Sequence, residues 1–200
     1  MIKDYFQHKA DTYDSNKSRV ANVDNIANAI IRRLPFDKAM HVMDFGSGTG
    51  LLLERIAPLV DKITAVDISA SMNQQLEEKS HSLACKLEIL PIDLSQSTID
   101  MWFDGIISSM TLHHIDDIEH MFDRLYSLLK DDGLLAIADL DLEDGSFHAE
   151  DTGVFHFGFK RETLVAIAEK SGFKNIHIES ASRLEKPQGC YSVFLLTATK

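Results

Sequence analysis

Three glycines at alternate positions, Gly46, Gly48 and Gly50, interrupt the chain directly after Val42-Met43-Asp44-Phe45, with Ser47 and Thr49 between them. Glycines permit a tight turn and a close approach of backbone to ligand, and a helix beginning there offers unpaired N–H groups and about half a positive charge. That chemistry suits the polar or anionic part of a ligand. About 20 residues further on, Asp67 in Ala65-Val66-Asp67-Ile68-Ser69 can accept hydrogen bonds from both hydroxyls of a ribose. An Asp after a strand can instead cap the next helix, but Ser69 is also present for that task. The two features together predict a ribose-bearing ligand held at adjacent strand ends.

The spacing discriminates further. A dinucleotide fingerprint needs glycine or alanine three positions after Gly48, and Leu51 stands there, where it would crowd both helix packing and a pyrophosphate. Proton chemistry falls to histidines: His113, His114 and His156 each carry an imidazole whose unperturbed pKa of about 6.5 suits a general base. His114 is the preferred candidate, although His113 or His114 capping the helix that begins near Asp116, and His156 as an ordinary polar residue, are the competing readings. Asp139, Asp141, Glu143 and Asp144 are hard oxygen donors but read better as a solvated acidic loop, so no metal is expected. Cys85 and Cys190 stand far apart and form no Cys-x-x-Cys pair, which gives neither a disulfide framework nor a zinc site.

These residues need elements to hold them. From residue 39 onward short apolar runs alternate with helix-period segments, the pattern of crossover connections on a parallel sheet covered on both faces. Strands are expected at 41–45, 62–67, 86–92, 103–109, 134–139, 175–180 and 192–199, the last two pairing as an antiparallel hairpin. Helices are expected at 49–57, 69–82 and 161–171. Ile115, Ile118, Met121, Phe122, Leu125, Leu128 and Leu129 mark another, ended by a turn at Asp131-Asp132-Gly133. Ahead of the sheet, Val20, Val23, Ile26, Ala27, Ile30 and Ile31 describe an amphipathic helix, and Phe6, Ala10 and Tyr13 one face of a shorter one.

Two hundred residues with 44% hydrophobic side chains bury a sufficient core without staples, and one domain spanning 1–200 is the expectation. A net charge of -11 disfavours nucleic acid and anionic membranes as partners. No stretch approaches the roughly 18 apolar residues of a membrane span, and no apolar signal core opens the chain, so a cytoplasmic protein, monomer or homodimer, is expected.

Asp44-Phe45-Gly46-Ser47-Gly48-Thr49-Gly50, Val66-Asp67-Ile68-Ser69 with Met72, Pro91-Ile92-Asp93-Leu94 and Ser108-Ser109-Met110-Thr111-Leu112-His113-His114-Ile115 occur in this order. In these motifs the chain resembles the class I S-adenosylmethionine-dependent methyltransferases, especially small-molecule methylases similar to those of quinone biosynthesis. The resemblance implies a Rossmann-like, doubly wound α/β fold with a seven-stranded, mostly parallel sheet, an antiparallel C-terminal hairpin and helices on both faces. It implies that Gly46, Ser47, Gly48 and Gly50 pack against the methionine and ribose of S-adenosylmethionine and that Asp44 helps hold the amino group. Asp67 would take the ribose, Ile68 and Met72 would flank the adenine, and Asp93 and Leu94 would meet its edge. Ser109 joins this cofactor-binding set. Residues 1–36 would form a helical lid in which Tyr13 closes over cofactor and acceptor. Apart from the resemblance, the length of segment 141–160 and its Phe147, Phe155, Phe157 and Phe159 predict an acceptor wall, with a packed excursion over the sheet edge as the competing reading.

The implied activity is in-line methyl transfer to a small-molecule acceptor. Strand four ends without the Asn/Asp-Pro-Pro-aromatic motif of nucleic-acid N-methylases, and neither cysteine stands in the Pro-Cys setting of pyrimidine C5 methylases. A cofactor-binding partner or sensor without turnover, and a nicotinamide-dependent oxidoreductase, are the alternatives.

Overall fold

A computed structural model describes residues 4–148, 150 and 152–200; the expected lid and acceptor segments therefore include positions, 1–3, 149 and 151, that lie outside the described residues. Five strands, β1 (His41–Phe45), β2 (Lys62–Val66), β3 (Lys86–Leu90), β4 (Phe103–Ser109) and β5 (Leu129–Leu140), pair in parallel. The last two, β6 (Lys174–Lys186) and β7 (Gly189–Thr199), form an antiparallel hairpin whose β7 edge also pairs antiparallel with β5. The order across the sheet is β3-β2-β1-β4-β5-β7-β6. Strand order reverses between β1 and β4, and the carboxyl ends of those two strands are where open α/β sheets bind ligands.

Alternation along the strands feeds two cores. Val42, Ile63, Ala65, Ile107, Ala136 and Leu195 face α1 (Lys17–Arg33), α2 (Leu51–Ile56) and Leu76 of α3 (Ala70–Lys79). Met43, Ile106, Leu135, Ile137 and Leu196 face α4 (Ile118–Leu128) and α5 (Arg161–Lys170). Met121, Phe122 and Leu125 of α4 are fully buried, each stabilising the layer by about 1.5–3 kcal/mol relative to exposure. Local signals set the helix starts. The side chains of Asn16, Ser69 and Asp117 accept the backbone N–H of Arg19, Met72 and His120, capping α1, α3 and α4. At the other end of α1, Leu34 is extended, as a residue before proline must be.

Apart from shifts of a few residues at the ends of α2, α3 and β3, four elements differ from the sequence reading. Ile115 precedes α4, because a 3-10 turn at Leu112–His114 follows β4. Leu129 already belongs to β5, opposite Phe103, and the expected Asp131–Gly133 turn is a register shift within the strand, with Asp132 at φ 60°. The hairpin is longer than its apolar stretches, since β6 is an edge strand exposed along much of its length. Finally, Ala10–Ser15 is a 3-10 turn in place of the short helix around Phe6 and Tyr13.

Candidate active site

The glycine turn stands at the tip of β1 under three different demands. All three glycines have positive φ, 71° at Gly46, 53° at Gly48 and 86° at Gly50. A Cβ on Gly46 would lie 2.1 Å from Thr111 Oγ1, and one on Gly50 2.6 Å from Leu76 Cδ1. Gly46 thus admits the β4 loop, and Gly50 lets α3 close on the turn. A Cβ on Gly48 would meet nothing within 4 Å, so this glycine alone faces open space.

The carboxylate of Asp67 turns toward the bend. Its Oδ2 accepts the Gly48 N–H at 2.8 Å and its Oδ1 the Ser69 N–H at 2.8 Å. Burial pushes this carboxyl above its ordinary value, against the pull of those donors. Asp44 is 1% exposed at the end of β1, and its Oδ2 has no hydrogen-bond partner among the described residues. Burial, helped by the negative charge of Asp67, raises Asp44 to about 8. Ser47 Oγ and Ser109 Oγ are also buried without partners among the described residues. A buried carboxylate oxygen and two hydroxyls left unsatisfied around a strand switch point are expensive unless a ligand meets them. A group bearing an ammonium and ribose hydroxyls fits that donor demand.

The adenine candidates divide. Ile68 is 50% exposed beside Asp67, whereas Met72 and Leu94 are core residues at 2% and 1%. Asp93 caps its own loop, accepting Ser95 N and Oγ at 2.9 and 2.5 Å and Gln96 Nε2 at 3.0 Å. Its carboxylate is committed to the local turn, the alternative that an Asp after a strand always carries.

Beyond β4 the histidines gather. Nδ1 of His113 pairs with Asp139 Oδ1 at 2.6 Å, and both residues are buried. Burial alone would raise Asp139, but the imidazole and the backbone N–H groups of Leu140 and His113 outweigh it and hold the carboxyl below its ordinary value. His114 lies 4.3 Å from the His113 ring, and its Nδ1 is 3.2 Å from Gly153 O. Burial first, then the charge of His113, lowers His114 to about 4. His148, 5.1 Å from His113, is lowered to about 3 by burial and by the same cluster. His156 does not join them: its Nε2 meets Asp116 O at 3.2 Å, and it lines a cleft of about 490 Å³ between α4 and α5.

The segment after β5 folds back because the N–H groups of Phe155 and His156 both reach His113 O, at 3.0 and 3.2 Å. The four acids from Asp139 to Asp144 are each hydrogen-bonded and only Asp144 is exposed, which corrects in part the picture of a solvated acidic loop. Asp139 holds His113, Asp141 makes a bidentate pair with Arg161 at 2.6 and 2.7 Å, Glu143 accepts two backbone N–H groups, and Asp144 caps Ser146. Among the described residues no group of acids, histidines or cysteines is placed to hold a metal ion.

The N-terminal segment is tied to the start of α3, to the glycine turn and to the His114 ring. Asp4 accepts Ser69 Oγ and Ser71 Oγ, each at 2.9 Å, and Ser71 N at 3.1 Å, at the start of α3. Asp14 accepts Thr49 Oγ1 at 2.5 Å and pairs with Lys79 at 2.7 Å. Between these anchors Phe6 meets the His114 ring edge-on at 5.8 Å, and Tyr13 meets Phe6 at 6.3 Å. Burial raises the Tyr13 hydroxyl above its ordinary value, and the Asp67 carboxylate adds to that shift. Sequence reasoning did not assign roles to Asp4, Thr111 and Asp139. Of these, only Thr111, inside the β4 motif, carried a signal.

The methyltransferase domain family matches residues 19–178 of the chain. An uncharacterised methyltransferase of Schizosaccharomyces pombe is 27% identical over 199 residues, covering 91% of this chain and 68% of that protein. A malonyl-[acyl-carrier protein] O-methyltransferase of Acetivibrio thermocellus is 27% identical over 145 residues, covering 69% and 48%. Among solved structures, a Haemonchus contortus phosphoethanolamine N-methyltransferase 2, complexed with phosphomonomethylethanolamine and S-adenosylhomocysteine, superposes with a TM-score of 0.76 at 17% identity. It covers all of this chain and 60% of that one, so the chain spans only about half to two-thirds of these proteins. Motif order, sheet topology and family match agree: the chain belongs to the methyltransferase-domain family and has the fold of its class I, S-adenosylmethionine-dependent members.

Proposed function

We propose that the protein transfers a methyl group from S-adenosylmethionine to a small-molecule acceptor by in-line displacement and releases S-adenosylhomocysteine. The observation that carries this reading is the pairing of an unpartnered, buried Asp44 oxygen with an Asp67 carboxylate drawn onto Gly48. Asp44 would hold the ammonium of the amino-acid portion, Asp67 the ribose, and Ile68 the adenine face. When bound, the cofactor supplies an electrophilic methyl on a positive sulfonium.

The protein's part is positioning and the exclusion of water. Residues of the N-terminal segment, latched at Asp4 and Asp14, act as the lid, and Phe147, His148 and the chain around Gly153 form the acceptor wall. His114 is the proposed proton acceptor. Lowered to about 4, it is neutral at physiological pH, and such a weak base takes a proton only as the new bond forms. His113, fixed by Asp139, positions it from below. A weak base and a dry wall support oxygen or nitrogen acceptors. Calorimetric titration with S-adenosylhomocysteine tests the cofactor half of this reading, and S-adenosylhomocysteine release across an acceptor panel tests turnover. An absence of cofactor binding by folded protein would overturn it.

A further inference from the structure

Five rings form a continuous wall: Tyr13 against Phe6 at 6.3 Å, Phe6 against His114 at 5.8 Å, His114 against His148 at 6.0 Å, and His148 against Phe147 at 4.8 Å. A cation stands at each end. The Arg19 guanidinium lies 3.7 Å over the Tyr13 ring, and Lys186 Nζ lies 3.4 Å over the Phe147 ring. Each is fixed by one backbone carbonyl, Arg19 by Tyr13 O at 2.6 Å and Lys186 by Phe147 O at 2.7 Å, and each keeps further donors.

Neither cation makes an ion pair with a carboxylate among the described residues, whereas Arg33, Arg55, Lys62, Lys79, Lys130 and Arg161 all do. Arg124 and Lys200 are likewise half-buried and bound only to a backbone carbonyl, Ser97 O and Leu129 O, but Arg19 and Lys186 are the two that stand at the ends of the ring wall. They also sense each other. Burial first, then the charge of Arg19, holds the Lys186 ammonium below its ordinary value, with Lys9 adding to the effect and Glu143 opposing it. Lys9 itself is matched by Glu150 at 2.9 Å. Glu143 already accepts the Gly145 and Phe147 N–H groups and lies beyond ion-pair distance of Lys186. Asp14 and Asp67 act beside Arg19, and Glu143 acts on Lys186, but none of them pairs with either cation, so an anion entering between the two would meet positive charge from both sides.

We propose that the acceptor carries an anionic group, a carboxylate or a phosphate, gripped between Arg19 and Lys186, with the rest of the molecule against the ring wall. This rests on the methyl-transfer reading above. The test uses protein saturated with S-adenosylhomocysteine, titrated at constant ionic strength with malonate or with inorganic phosphate and followed by thermal shift. Saturable stabilisation by one of the two is expected, and which one saturates identifies the group. Arg19→Gln and Lys186→Gln should weaken that binding at least tenfold, while Arg19→Lys and Lys186→Arg recover part of it, and S-adenosylhomocysteine affinity should change less than twofold in all four. No saturable binding of either anion overturns the proposal. So does a large loss of S-adenosylhomocysteine affinity in Arg19→Gln, which would assign that cation to the cofactor's own carboxylate. Failure of wild-type protein to bind S-adenosylhomocysteine at all overturns the methyl-transfer reading itself and is distinguished at the first step.

Discussion

The backbone N–H of Gly48 donates to Asp67 Oδ2 at 2.8 Å, tying the bend after β1 to the tip of β2. The carboxylate oxygens keep further lone pairs, so Asp67 can brace the bend and still accept from ribose hydroxyls. Asp67→Ala should therefore lower S-adenosylhomocysteine affinity at least about tenfold, or about 1.4 kcal/mol. Titration calorimetry of folded variant reads this directly, and an unaltered dissociation constant removes Asp67 from the site.

Asp44 adds a proton to the account. A carboxyl raised to about 8 is largely protonated at pH 7, and pairing it with an ammonium requires the ionised form. Cofactor binding at pH 7 should then expel up to about one proton, measurable by repeating the titration in buffers of different ionisation heat. Without ligand, the folded state holds this proton more tightly than the unfolded chain, so its contribution to stability declines as pH rises from about 4 to 8. Asp44→Asn should abolish the proton release and flatten that decline.

Two neighbouring glycines should fail in different ways. Gly46→Ala forces a methyl into Thr111 at a left-handed φ and should cost roughly 2–4 kcal/mol of folding stability, read by urea denaturation. Gly48→Ala meets no atom, so only the backbone cost of about 1–2 kcal/mol applies, yet cofactor affinity should fall at least tenfold. Equal stability losses with intact affinity would place the ligand elsewhere.

His114 and His148, lowered to about 4 and 3, bind protons less readily folded than unfolded. Stability should fall as pH drops from about 6.5 toward 4, because the unfolded chain takes up protons that the folded one refuses. His114→Gln and His148→Gln should each shallow the acid limb of a melting-temperature profile. NMR titration of the two rings should show neither charging near pH 6.5.

The parallel half of the sheet and the glycine turn were legible because each apolar run is bounded by its own stop signals, and because Asp67 follows the glycines at a distance that β-α-β geometry dictates. The polar part of β5 was not, since Lys130, Asp131 and Asp132 lie in the register shift between the Leu129 and Leu134 pairings, which mimics a turn. Residues 181–186 of β6 escaped notice for a related reason: an edge strand exposed to solvent does not show the apolar run of a buried one. Asp139 read as one acid among four, and its bond to His113 exists only because β5 lies beside the loop that follows β4. His156 sits near His113 along the backbone but its ring turns to the α4–α5 cleft, a choice made by packing against Phe159 at 5.2 Å.

β7, the last strand in sequence, is seated between β5 and β6. During synthesis the parallel half can assemble before residues 189–199 emerge, but until then β6 has no partner strand in the sheet. Loss of the β7 strand, residues 189–199, would leave the margins of β5 and β6 bare and prone to cross-chain pairing.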